Sequence, residues 1–203
     1  MSNRPRRTGT DLALVASFAA LIAVCAILPA IKIGLPVGIT LQTFAVLLSG
    51  AVLGARRGFL AVVLYLAVGA AGLPVFSEGR AGLGVFQGPS VGYLLAFPLA
   101  AACCGFLVER LPRGAASRSV PLVFVSGLVS SLLFVHTLGV AGMALRVPMD
   151  WVDAVVADAA FYPGDVVKNL AMAFVATAVH RAFPDLLPTR RARRVEVRET
   201  IPG

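Results

Sequence analysis

Residues 41–72 read LQTFAVLLSGAVLGARRGFLAVVLYLAVGAAG. Two apolar runs, 41–53 and 58–72, flank the turn Gly54-Ala55-Arg56-Arg57-Gly58. A helix on the surface of a soluble domain carries a polar face, and neither run has one. In lipid every backbone amide must find its partner inside the segment, so the runs are predicted as helices of a membrane hairpin. The paired arginines mark its turn as cytoplasmic, because Lys and Arg bias sets orientation.

Outward from the hairpin the same pattern repeats. Further apolar stretches run over 12–28, 91–108, 120–144 and 166–182. Basic residues fall in every second gap. One side takes Arg4, Arg6, Arg7, Arg56, Arg57, Arg110, Arg113 and Arg118, and also Arg181, Arg190, Arg191, Arg193, Arg194 and Arg198. The other takes Lys32, Arg80 and Arg146, while Lys168 lies inside the sixth stretch. The expectation is an all-α membrane protein, a six-transmembrane-helix bundle with both termini cytoplasmic.

Composition agrees. The chain is 58% apolar and 14% charged, with a mean hydropathy of +0.87, which no ordinary soluble domain carries. Its 203 residues suit one membrane domain over 1–183 and a basic cytoplasmic tail over 184–203, expected to be disordered from 189 onward. A pI near 10.4 raises nucleic acid as a partner. The basic residues sit at helix ends and in the tail, so orientation and anionic membrane lipid account for them instead. The first stretch is longer than a signal-peptide core and five more follow it, so it reads as a span. Cys25, Cys103 and Cys104 lie in apolar stretches with no metal-site spacing, and no metal or other cofactor is expected.

The second and third stretches are short for a full crossing, which needs about 20 residues. Gly34, Pro36 and Gly38 precede the second, and Gly72 and Pro74 follow the third. Irregular backbone at membrane depth is tolerated inside protein or beside a cavity, and both irregular segments fall on the outer side. The connection 29–40 is apolar and is expected to fold back over the bundle. The connection 73–89 is rich in glycine around Arg80, and 146–164 reads as an interfacial segment anchored by Trp151.

Tyr162-Pro163-Gly164-Asp165-Val166-Val167-Lys168 carries the sharpest chemical signal. Asp165 and Lys168 are three apart, neighbours on one helix face. An ionisable pair at membrane depth points to function. The competing reading is a helix cap at Asp165 with Lys168 merely paired to it, although a lysine in the first turn opposes the helix dipole. Arg80 fits a carboxylate clamp, or else a lipid phosphate. Phe76, Phe86 and Tyr93 are candidate walls of an apolar pocket, or ordinary packing. Thr40, Gln42 and Thr43 reach either a cavity or the start of their own helix. On the first helix Ala13, Ala16, Ala20 and Ala23, with Ser17, form a small-residue face that lets another helix approach closely.

Enzyme classes find little support. Neither lysine follows a G-x-x-x-x-G-K phosphate loop. An intramembrane serine protease needs a G-x-S-x-G turn and a nearby histidine, whereas Ser126 and His136 are ten apart on one helix.

The motifs, taken in order, resemble the biotin-specific S components of energy-coupling factor transporters, the BioY family. They are Ile39-Thr40-Leu41-Gln42-Thr43-Phe44, then Gly54-Ala55-Arg56-Arg57-Gly58, then Gly69-Ala70-Ala71-Gly72-Leu73-Pro74-Val75-Phe76, then Gly88-Pro89-Ser90-Val91-Gly92-Tyr93, and last Pro163-Gly164-Asp165 with Lys168. The resemblance implies a six-helix S-component fold, an outward vitamin pocket closed by loops of the first, third and fifth connections, and biotin contacts at Asp165 and Lys168. It implies that Ala16 and Ala20 dock a transmembrane coupling protein, energised by two cytoplasmic ATPases. Arg80, Gln42, Phe86 and Tyr93 complete the expected substrate site, with Asp165 suited to ureido N–H groups, Lys168 to the ureido carbonyl or the carboxylate, and Arg80 to the carboxylate. The resemblance also implies a prokaryotic plasma membrane. The chain itself is then not an enzyme. An S component for another small vitamin, or a solitary biotin carrier without ATPase partners, are the alternatives.

Overall fold

The computed structural model describes residues 8–31, 34–112, 114–116, 118–184, 186 and 187. The described residues form helices α1 (Thr8–Ile27), α2 (Gln42–Leu53), α3 (Ala55–Ala70), α4 (Val91–Arg110), α5 (Val120–Ser130), α6 (Thr137–Arg146), α7 (Trp151–Ala159) and α8 (Tyr162–Ala182). A π-helical turn, Ser131–His136, joins α5 to α6 without a break, so Val120–Arg146 runs as one apolar rod. Among these residues the sole β feature is a bridge between Ile31 and Ile39, whose amides bond each other's carbonyls at 2.9 and 3.0 Å. That bridge folds the first connection back on itself.

α1, α4 and the Val120–Arg146 rod are long and apolar enough to cross a membrane. α2 is apolar but has only 12 residues. Its position explains how so short a helix persists. It packs against α1, α3, α4 and α8, and every residue except Phe44 is buried. Protein, not lipid, surrounds its ends. Only Gly54 separates α2 from α3, at φ +84° and ψ 175°, a conformation that L side chains rarely adopt. The α3 start is tied to α4, because the Ala55 amide donates to Glu109 Oε1 at 2.8 Å.

The outside of the bundle is apolar. Leu95, Leu99 and Phe106 of α4, Val125 and Val129 of α5, and Val167, Leu170 and Phe174 of α8 are exposed. Inside lie Gln42, Ser49, His136, Asp158, Asp165 and Asn169. An apolar surface of this extent, with ionisable groups turned into the interior, suits lipid as solvent. The chain is an all-helical membrane protein.

The two ends differ. At one end Arg57 pairs with Asp11 at 3.3 Å and donates to the Leu186 carbonyl, so the α2–α3 turn, the start of α1 and the segment after α8 converge. Gln42 lies at the opposite end of α2, about 18 Å away at 1.5 Å per residue. Local boundaries also differ from expectation. α8 starts at Tyr162, four residues before 166, because Pro163 fits a first helical turn. The interfacial segment contains a helix, α7, capped by Asp150, whose side chain accepts the Asp153 amide at 2.8 Å. Trp151 stands exposed on it, while Ala154, Ala157 and Asp158 face inward. Of the expected tail only Pro184, Leu186 and Leu187 are described, and the stretch 188–203 lies outside the described residues, as do Lys32 and Arg113.

Candidate ligand-binding site

The end of the bundle that holds the α2 start contains a cavity of about 260 Å³. The first connection supplies Leu35, Pro36, Val37, Gly38 and Thr40 to its wall. α2 supplies Gln42 and Thr43 from its first turn. The connection after α3 supplies Phe76, Ser77, Glu78, Arg80 and Val85, with Pro89 and Ser90 before α4. Tyr93, Leu94 and Phe97 of α4, Val135 of the π turn, Phe161, and Asp165 and Lys168 of α8 complete it. The fifth connection thus enters through Phe161.

Asp165 and Lys168 meet at this wall. Lys168 Nζ lies 2.8 Å from Asp165 Oδ1, with the two side chains 12% and 6% exposed. Asp165 is not a helix cap: Phe161 occupies the cap position, and no side chain bonds the first amides of α8. Because α8 begins at Tyr162, Lys168 sits in its second turn, beyond the strongest part of the dipole. What holds the ammonium there is the carboxylate. A buried charge needs a partner, and removing either member leaves the other uncompensated.

Gln42 and Thr40 divide the two roles expected of them. The Thr40 hydroxyl accepts the Gln42 amide at 3.3 Å and serves the start of α2. The Gln42 side chain donates from Nε2 to the Tyr65 hydroxyl at 2.9 Å, which leaves its carbonyl oxygen available at the cavity. Arg80 is exposed at the rim, where its Nε donates to the Ser77 carbonyl at 3.1 Å. Tyr93 lines the cavity and donates its hydroxyl to Asp158 Oδ1 at 2.7 Å. Its ring lies so close to Gly139 that a Cβ there would overlap it.

Phe86 is placed differently from the expectation. It does not line the cavity; it packs edge-on against Phe76, with ring centroids 5.7 Å apart. The short helical turn Leu83–Gln87 points Val85 inward and puts Phe86 behind Phe76. Phe76 is buried between Phe86 and Tyr65, whose ring lies 5.6 Å from it. Ala16 and Ala20 lie away from this cavity, exposed on α1, and line an apolar groove with Leu64 and Val68 of α3.

Two groups that sequence reasoning did not place here are Ser90 and Asp158. Ser90 Oγ is buried at the cavity without a hydrogen-bond partner. Asp158 is fully buried and bonded to Tyr93 and to His136 Nδ1, the latter at 2.8 Å. The available signal for His136 was an ionisable residue inside an apolar stretch. Ser126, the other residue weighed for hydrolysis, donates to the Leu122 carbonyl and takes no part in the cluster.

The profile of the BioY family matches residues 1–185. The chain belongs to the BioY family. It is 39% identical over 183 residues to "Biotin transporter BioY" of Rhizobium etli, across 89% of this chain and 97% of that protein. To the protein of the same name from Rhodobacter capsulatus it is 38% identical, across 89% of this chain and 98% of the relative. A solved structure, the S-component for biotin from an ECF-type ABC transporter, superposes with a TM-score of 0.81 at 27% identity, covering 89% of this chain and 95% of that one.

Proposed function

We propose that the chain is a biotin-binding S subunit that captures the vitamin at the cavity end and works with an energy-coupling factor module. The observation that carries this reading is the cavity itself: a chamber walled by aromatic rings and polar groups together, with the Asp165–Lys168 pair in one wall and Arg80 at the rim. Biotin presents ureido N–H donors and a ureido carbonyl at one end, an apolar thioether ring, and a carboxylate at the far end. Asp165 accepts the N–H groups, Lys168 or Arg80 pairs with the oxygens, and Phe76, Tyr93 and Phe97 enclose the ring. Family membership and the relatives named as biotin transporters support the same substrate.

The remainder of the reading concerns the assembly. Six crossings, formed by α1, α2, α3, α4, the Val120–Arg146 rod and α8, put both termini on the cytoplasmic side of the cell membrane, with the basic segment after 183 there as well. A transmembrane coupling protein docks on the Ala16–Ala20 face, and two ATPases hydrolyse the nucleotide, so the S subunit performs no chemistry. Calorimetry of purified protein against a panel of vitamins tests the substrate. Saturable binding of biotin alone is expected. Preference for another vitamin, or no binding at all, overturns it.

A further inference from the structure

A buried polar chain runs directly behind the cavity wall. His136 closes the π turn, Asp158 lies at the end of α7, and Tyr93 comes from α4. His136 Nδ1 is 2.8 Å from Asp158 Oδ2, while Tyr93 donates to Oδ1 of the same carboxylate at 2.7 Å. On its other side His136 Nε2 faces Asp165 Oδ2 at 3.4 Å, and Asp165 Oδ1 receives Lys168 at 2.8 Å. The Tyr162 ring packs edge-on against the imidazole, centroids 4.5 Å apart. Tyr93, Asp165 and Lys168 line the cavity; His136 and Asp158 do not. Two residues out of reach of a ligand therefore connect three that are within reach.

Two carboxylates at membrane depth need donors between them. An imidazole ring presents its two nitrogens on different edges of one rigid plane, so a single side chain faces both carboxylates. The backbone is built for it. π turns are rare and concentrate at functional positions, and this one ends at His136, with the Thr137 hydroxyl donating to the Leu132 carbonyl at 3.0 Å.

We infer that His136, anchored by Asp158, is a positioning residue for ligand binding: it fixes the Asp165 carboxylate so that its remaining lone pairs face the cavity beside Lys168. The inference rests on the biotin reading of the cavity. With Oδ1 hydrogen-bonded by Lys168 and Oδ2 facing His136 Nε2 at 3.4 Å, the carboxylate is restrained on both oxygens, and it meets the ureido N–H donors preorganised. Through the second oxygen of Asp158 the same device holds the Tyr93 hydroxyl.

The test uses the full chain in detergent, with biotin binding by calorimetry and melting temperature measured on each variant. H136Q places an amide N–H near the Nε2 position, towards Asp165. H136N places one near Nδ1, towards Asp158. Binding should fall at least about tenfold in H136N and by clearly less in H136Q, which keeps the donor towards Asp165 but loses the Asp158 anchor, with similar melting temperatures in the two variants. D158N, which keeps a partner for Tyr93 but loses the charge that anchors Nδ1, should also weaken binding although it touches no ligand. Equal loss in H136N and H136Q, tracking melting temperature, marks a purely structural histidine and overturns the inference, as does unchanged binding in H136N. Should H136N not fold, D158N decides alone, and wild-type affinity there overturns it. A wild-type chain that ignores biotin overturns the substrate reading and this inference together.

Discussion

Lys168 is an ammonium in the second turn of a helix whose neighbours Val166, Val167 and Leu170 face outward, and the Asp165 carboxylate 2.8 Å away compensates its charge there. The pair therefore stands or falls together. Asp165→Asn keeps the shape and removes the charge, and Lys168→Ala leaves the carboxylate short of a donor. Each is expected to weaken biotin binding at least about tenfold, or 1.4 kcal/mol, if the pair makes charge-assisted contacts to the ligand. Calorimetry reads the loss, and unchanged affinity in both variants removes the pair from the site. The pair was legible in the sequence because a three-residue spacing inside an apolar stretch leaves few alternatives. The Asp158–His136 contact was not, since 22 residues and a helix reversal separate its members. Phe86 illustrates the same limit at close range. Val85, Phe86 and Phe76 are all apolar, and which of them faces the cavity depends on the phase of one short helical turn.

Among the elements, the Val120–Arg146 rod meets α4 through residues that have no side chain to spare. Gly139 lies under the Tyr93 ring. A methyl group there has to push that ring from Asp158, since α6 cannot retreat from α4 without opening the Gly92–Gly142 contact, where the backbones touch. Gly139→Ala is thus expected to lower stability by about 1–3 kcal/mol and to weaken biotin binding with it. Gly84→Ala serves as the comparison, because a Cβ there meets nothing within 4 Å. Thermal unfolding and calorimetry on the two variants check this; equal behaviour would show that Tyr93 has room to move. At this scale the apolar stretches were readable as helices, and the shortness of α2 was readable as a sign of buried irregular backbone. α7 was not read, although Asp150 followed by Asp153 marks a helix start, because nine residues facing half outward carry little periodic signal. The π turn has no sequence signature at all; it ends at His136, which lies between two carboxylates.

For the whole molecule, the arginine pattern and the three-dimensional arrangement bear on each other. Arg57, the start of α1 and Leu186 meet at one end, and the cavity lies at the other. If the arginine end is cytoplasmic, a cysteine placed at Gly84 in a cysteine-free background reacts with a membrane-impermeant maleimide in intact cells, and one placed at Ala115 reacts only after lysis; the reverse result inverts the topology. The sequence made this division readable because charge bias acts on whole loops and needs no atomic detail. The α1 face was readable only as a pattern of small residues. The structure leaves Ala16 and Ala20 exposed beside Leu64 and Val68, in a groove separate from the cavity. Separation makes the proposed docking on α1 independent of ligand binding in principle. A tryptophan at Ala16 fills the groove without reaching Asp165 or Lys168, so Ala16→Trp should keep biotin affinity while abolishing co-purification with a coupling protein and ATPases. Loss of biotin binding would mean that the groove and the cavity are mechanically linked. Retained co-purification would place the docking surface elsewhere on the bundle, and the absence of ATPases even with the unaltered chain would leave a carrier that works alone.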